Sequence, residues 1–131
     1  MNIDEIAFEC QKITTDKYEI YIHSDKLLCV HYFENTVIEV PDIKEAIKTG
    51  MQLSPSNSTK LIVLVDLYVD VTKEAREFAQ NNMRILKAEA HVFPSLANKI
   101  LFNLFIKFRK NSHPLKAFAK TDEAIDWLSK H

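Results

Sequence analysis

The stretch Lys60-Leu-Ile-Val-Leu-Val-Asp-Leu67 constrains this chain more than any other. Six of its eight residues are aliphatic, and they occupy both alternating faces of an extended segment. Such a run reads as a strand buried on both sides, and its length suits a strand better than a helix. A strand covered on both faces belongs in the middle of a sheet. The rest of the chain is therefore read relative to it.

Upstream, Tyr18 to His23 and Leu27 to Phe33 are rich in aromatic and β-branched residues, and Ser24-Asp25-Lys26 separates them. This is the pattern of a β-hairpin. A three-residue loop pairs His23 with Leu27 and sets Ile22 opposite Leu28, Ile20 opposite Val30 and Tyr18 opposite Tyr32. One face is then apolar apart from the tyrosine hydroxyls, whereas a one-residue slip would mix the faces. The other face carries Glu19, Tyr21, His23, Cys29, His31 and Phe33. Ile6 to Cys10 alternates like a further strand, and Val37 to Val40 reads as a short one.

Pro41-Asp42-Ile-Lys-Glu45 reads as a helix start, with Asp42 as cap and Glu45 reaching back. Ile43, Ala46, Ile47 and Met51 form its apolar stripe, and Gly50 followed by Ser54-Pro-Ser-Asn-Ser58 ends it. After the central strand, Thr72 is placed to cap a helix with an inner stripe of Ala75, Phe78, Ala79 and Met83. A strand over Lys87–Val92, an apolar helix from Pro94 to about Arg109, a strand over Leu115–Ala119 and a helix capped by Thr121 complete a βαβαβα series. Alternation of this kind gives parallel strands with right-handed crossovers. The expected fold is α/β: a mixed sheet with an N-terminal antiparallel hairpin, then βαβαβα units, with helices mainly on one face. The alanine pairs Ala88/Ala90 and Ala117/Ala119 would let a helix lie close, while Glu89 and His91 would face water.

The length of 131 residues fits one domain over 1–131. A net charge of −1 offers nothing to attract nucleic acid or an acidic membrane. The single glycine, Gly50, excludes a Gly-rich phosphate loop. Cys10 and Cys29 read as free thiols of a reducing compartment. The first residues have no signal-peptide pattern, and no run of apolar residues is long enough to span a bilayer. The expected location is the cytoplasm.

The order of hairpin, helix, central strand ending in Asp66 and repeated α/β units resembles the STAS domain (sulfate transporter and anti-sigma factor antagonist). Lys87-Ala-Glu-Ala-His-Val-Phe93, Ala97-Asn-Lys-Ile-Leu-Phe-Asn-Leu-Phe-Ile-Lys-Phe108, Pro114-Leu-Lys-Ala-Phe118 and Glu123-Ala-Ile-Asp-Trp-Leu128 look like small stand-alone bacterial STAS-like proteins of unknown role. The likeness covers roughly residues 17–130. It implies the STAS-like fold and a non-catalytic binding role, without a known ligand. Anti-sigma antagonists carry a phosphorylatable serine in an Asp-Ser-Ser-Gly turn after the central strand. Here the same place reads Asp70-Val71-Thr72-Lys73, so Thr72 is the one hydroxyl left, as helix cap or as phosphoacceptor.

Other candidate sites are few. Asp66 and Asp70 lie where α/β sheets bind ligands, at strand carboxyl ends, and either can instead be a turn acid. Five histidines lack the spacing of a metal site, so no metal or cofactor is expected. Cys29 and His31 share a strand face without a third orienting group, which leaves no catalytic constellation. On the apolar helix, Ala97, Ile100, Leu101, Leu104, Phe105 and Phe108 read as the inner stripe. Phe102 and Ile106 would then face outward beside Lys99 and Arg109, as a contact surface for a partner, a second copy or lipid, unless another segment covers them. The leading expectation is a non-enzymatic regulatory or binding module working through protein–protein contacts. The rivals are a carrier of lipid or another small apolar ligand and a hydrolase using Cys29.

Overall fold

The computed structural model describes residues 12–24, 26–82, 84–106 and 113–131. Among these residues the order opens with strands β1 (Ile13–Thr14), β2 (Tyr18–Ser24), β3 (Leu27–Tyr32) and β4 (Val37–Ile38), followed by helix α1 (Val40–Leu53). Strands β5 (Lys60–Val65) and β6 (Asp70–Val71) precede α2 (Lys73–Asn81). Strand β7 (Ala88–Val92), helix α3 (Leu96–Ile106), strand β8 (Leu115–Phe118) and helix α4 (Thr121–Ser129) complete the order. The expected strand over Ile6–Cys10 lies outside the described residues.

The aliphatic run is β5, and among the described residues it lies inside a six-stranded sheet of order β1-β2-β3-β5-β7-β8. Strands β1, β2 and β3 run antiparallel in sequence, whereas β3, β5, β7 and β8 are mutually parallel. The hairpin has the expected register through Tyr18↔Tyr32, Ile20↔Val30 and Ile22↔Leu28. It closes differently: Ser24 pairs with Leu27, the register shifts between Ile22 and Ser24, and His23 is bulged out. Lys26 makes this tighter closure possible by adopting φ 58°, a left-handed value uncommon for a side chain with a Cβ. Strands β4 and β6 form a separate two-stranded parallel ladder.

Each face of the sheet has its own core. Tyr18, Ile20, Leu28 and Val30 pack with Ala46 and Leu53 of α1. Helix α2 lies against α1, where Lys44 Nζ sits 5.4 Å from the Phe78 ring. Helix α3 is on this same face, since Phe102 stacks on His91, and His91 lies beside Val63 in the register. The opposite face holds Leu27, Cys29, Ile62, Ala88, Ala90, Val92 and Phe118 against Ala124 and Leu128 of α4. Ala88, Ala90 and Ala124 are fully buried, so small side chains bring helix and sheet together. Each large aliphatic residue buried this way stabilises the fold by about 1.5–3 kcal/mol. Lys60 ties the layer further by donating from Nζ to Leu128 O at 2.7 Å, at the helix end that favours a cation.

Several local expectations need correction. Glu89 and His91 are not in water: Glu89 is 5% exposed and His91 is partly covered. Ala117 pairs with His91, so it shares that face and not the face of Ala88 and Ala90. The start of α1 is three residues earlier than expected, with Glu39 as N-cap, and Asp42 Oδ2 accepts the Glu39 N–H at 2.8 Å. Gly50 does not end α1. It lies buried in the last turns, where an added Cβ would come 2.9 Å from Leu28 Cδ2. Its missing side chain lets α1 settle onto β3. The cap of α4 is Lys120, one residue before Thr121.

Candidate functional site

The carboxyl ends of β3 and β5 lie side by side, with Tyr32 paired to Val65. Both strands run into tight turns there. Phe33–Thr36 is closed by Thr36 Oγ1 donating to Phe33 O at 2.7 Å, with Asn35 at φ 60°. The turn after β5 is joined to it, because Asn35 N–H donates to Leu67 O and Asp70 N–H donates to Thr36 O. The β4–β6 ladder continues the junction through Val37↔Asp70 and Ile38↔Val71. Ile38 is fully buried and anchors the ladder. Thr72 follows at once: its N–H donates to Ile38 O, and its Oγ1 accepts the Ala75 N–H at 3.1 Å as N-cap of α2.

What these joined turns present is apolar. Tyr68 is 76% exposed, with Leu67 and Val37 each nearly half exposed. Tyr68 is held at φ 60°. A bulky residue there is an outlier that costs of order 1–3 kcal/mol, so the surrounding bonds must fix it. Exposed Asp70 and Glu34 flank the apolar residues.

Beneath the turns, on the α4 side of the sheet, lies a row of charged groups. His31 Nδ1 is 3.2 Å from Glu19 Oε1, and its Nε2 is 2.9 Å from Asp66 Oδ1. Lys12 Nζ continues the row at 2.9 Å from Glu19 Oε2. Burial pulls the His31 pKa down, but the hydrogen bonds and charges of Asp66 and Glu19 outweigh it and hold it above the ordinary value. Burial raises Glu19, and the hydrogen bonds from Lys12 and His31 outweigh that in turn and hold it low. Cys29 on the same face is 1% exposed, and burial pushes its thiol up to about 11. The thiolate needed for nucleophilic attack is then scarce near neutral pH. Both nitrogens of His31 face carboxylates, not this thiol.

A second cluster was not foreseen. Glu89 Oε1 lies 2.9 Å from His113 Nε2, and Glu89 Oε2 is 2.5 Å from His91 Nε2. The His91 ring stacks on Phe102 at 4.6 Å between centroids, and Phe93 is 5.2 Å from Phe102. The alternation Lys87-Ala-Glu-Ala-His91 looks like a strand with one wet face, so only the covering by α3 reveals it. Among the described residues no group of three or more His, Cys, Asp or Glu side chains is arranged to hold a metal.

Of the residues singled out from sequence, Asp66 and Asp70 lie along the segment after β5 and Thr72 follows as the cap of α2, with Asp66 bonded to His31 and Thr72 to the Ala75 N–H. Lys99 and Phe102 belong to α3, and Phe102 faces inward onto His91 and Phe93 instead of outward. The residues that α3 exposes include Leu96, at 72%, and Ile100, at 51%. Ala97 and Ile100, expected in the inner stripe, are exposed together with Asn103, because the aromatic surface of His91 and Phe93 draws Phe102 inward instead. Ile106 closes α3, and its side chain, like the whole of Arg109, lies outside the described residues. Among the described residues no helix is long and apolar enough to cross a membrane.

A protein family described as a domain of unknown function, DUF7793, matches residues 20–131, and the chain belongs to it. An uncharacterised DUF3478-family protein from Shewanella loihica PV-4, described as having a SpoIIAA-like fold, is similar in structure with a TM-score of 0.58 at 13% identity. That likeness covers 88% of this chain and 98% of the other. The mixed sheet with antiparallel N-terminal strands and alternating helices and strands matches the SpoIIAA/STAS-like topology. A protein of unknown function from Arthrobacter sp. FB24 aligns over 91% of this chain and 98% of its own at 17% identity, with a TM-score of 0.32, too low to argue a shared fold. No curated protein matches.

Proposed function

We propose that this member of the DUF7793 family is a one-domain, non-enzymatic regulatory module of the cytoplasm that docks a protein partner through the joined turns at the carboxyl ends of β3 and β5. The observation that carries the reading is Tyr68, a tyrosine 76% exposed and fixed at φ 60° between two hydrogen-bonded turns. Such strain is retained where it presents a side chain for use, and aromatic residues are enriched as interface anchors. Leu67 and Val37 widen the apolar centre, and Asp70 and Glu34 give it a polar rim. The STAS-like fold supports the same reading by analogy only. Thr72 borders the surface, where its hydroxyl already caps α2.

The test uses the variant pair Leu67→Ser with Tyr68→Ser. Both side chains are exposed, so the double variant is expected to fold and melt near the parent. Loss of a co-purifying partner at unchanged stability supports docking here, while full retention of that partner removes the surface from the account.

A second reading, a carrier of lipid or another small apolar ligand, draws on Leu96 and Ile100, which α3 exposes beside Lys99. Native mass spectrometry of gently extracted protein separates the two. A stoichiometric adduct of lipid mass favours the carrier, and the bare chain mass, alone or with a protein partner, favours the module.

A further inference from the structure

We infer that His31 is a proton-operated clamp on the Tyr68 turn, bridging Glu19 and Asp66 when its ring is doubly protonated and loosening the turn when it loses a proton. As regulation of the docking face, this rests on the reading above; as a property of the turn, it stands alone.

The argument begins with hydrogen-bond roles. A carboxylate only accepts, and a neutral imidazole has one N–H donor and one acceptor nitrogen. His31 has a carboxylate oxygen against each ring nitrogen, at 3.2 Å and 2.9 Å. Both contacts are hydrogen bonds only for the imidazolium. The neutral ring keeps one donor and turns a lone pair toward the other carboxylate.

The two carboxylates belong to different parts of the fold. Glu19 is near the start of β2, paired directly across from His31, and Lys12 holds its other oxygen. Asp66 is the first residue after β5 and directly precedes Leu67 and Tyr68. Its backbone is fixed by the N–H bond to Tyr32 O, so the side-chain bond to His31 orients the start of the turn. The groups facing His31 are Glu19 from β2, Asp66 after β5, Phe33 just past its own strand with ring centroids 5.2 Å apart, and Lys12 through Glu19. The two carboxylates outweigh the burial of the ring and bring its titration above the ordinary value of 6.5.

The test is an NMR titration of the whole chain with the proton as the only ligand, from about pH 5 to about pH 9. The His31 ring is expected to titrate above 6.5, with the Leu67 and Tyr68 amide shifts moving at the same midpoint. Asp66→Asn is expected to lower the His31 midpoint, and His31→Gln to abolish the coupled amide shifts. Should His31→Gln not fold, Asp66→Asn still decides through the ring midpoint. A His31 midpoint at or below 6.5, amides that stay still through it, or the same amide titration in His31→Gln would overturn the clamp. No partner enters the experiment, so its failure leaves the docking surface standing, and failure to find a partner leaves the clamp standing.

Discussion

His113 Nε2 lies 2.9 Å from Glu89 Oε1 across 24 residues of chain, and both side chains are more than nine-tenths buried. The contact ties the segment leading into β8 to the start of β7, and the Glu89 N–H donates to Pro114 O beside it. Removing His113 takes one hydrogen bond from a buried carboxylate that His91 still contacts. His113→Ala is therefore expected to lower stability by about 1–3 kcal/mol in urea unfolding. A loss under about 1 kcal/mol would mean that the pair does not hold β8 in place.

Gly50 supports the layer below α1. A branched side chain at Gly50, whose Cβ alone would come 2.9 Å from Leu28 Cδ2, overpacks a site where Leu28 is 3% exposed. Gly50→Val is expected to cost about 1–3 kcal/mol by chemical denaturation. A variant as stable as the parent would show that α1 can slide on the sheet and that the glycine has no packing role.

The Thr72 hydroxyl caps the start of α2 by accepting the Ala75 N–H. Serine and aspartate can replace that acceptor, and alanine cannot. Thr72→Ala is expected to lose about 1 kcal/mol, while Thr72→Ser and Thr72→Asp melt near the parent. If Thr72→Asp keeps its stability and loses partner binding, phosphate at this helix start becomes the regulatory reading, since the dipole there favours negative charge.

The central strand and the body of the hairpin were legible in the sequence, because Tyr18, Ile20 and Ile22 alternate in step with Leu28, Val30 and Tyr32. Only one register makes that face apolar. The closure at Ser24 and Leu27 was not legible, since it depends on Lys26 taking a left-handed conformation that its residue type does not advertise. The faces of β7 and β8 were misread for a different reason. Parallel register is set by the crossover, so Ala117 looks interchangeable with Ala88 until it is seen beside His91. The candidate site was half visible: the acids Asp66 and Asp70 and the cap at Thr72 stand out by position. The strained Tyr68 and the His31 bridge need atoms from four segments and have no pattern in a linear reading.

Stability should follow pH in a way set by the His31 row. A group raised in the folded state, such as His31, contributes its full stabilisation below the ordinary 6.5 and loses it as pH rises through the higher folded value. A lowered group, such as Glu19, contributes above the ordinary 4.5 and loses it as pH falls through its folded value. The difference in melting temperature between the parent and His31→Gln should therefore be widest between these two ordinary values and shrink in alkali. A difference that grows with pH instead would reverse the assigned sign.

The central claim is that partners dock at the joined turns. Photocrosslinking in living cells tests it most directly, with a photoreactive phenylalanine analogue placed at Tyr68 and, in a matched chain, at exposed Glu123 of α4. The account predicts one discrete protein adduct from position 68 and none from position 123. Adducts of equal yield from both positions, or adducts from 123 alone, would contradict it.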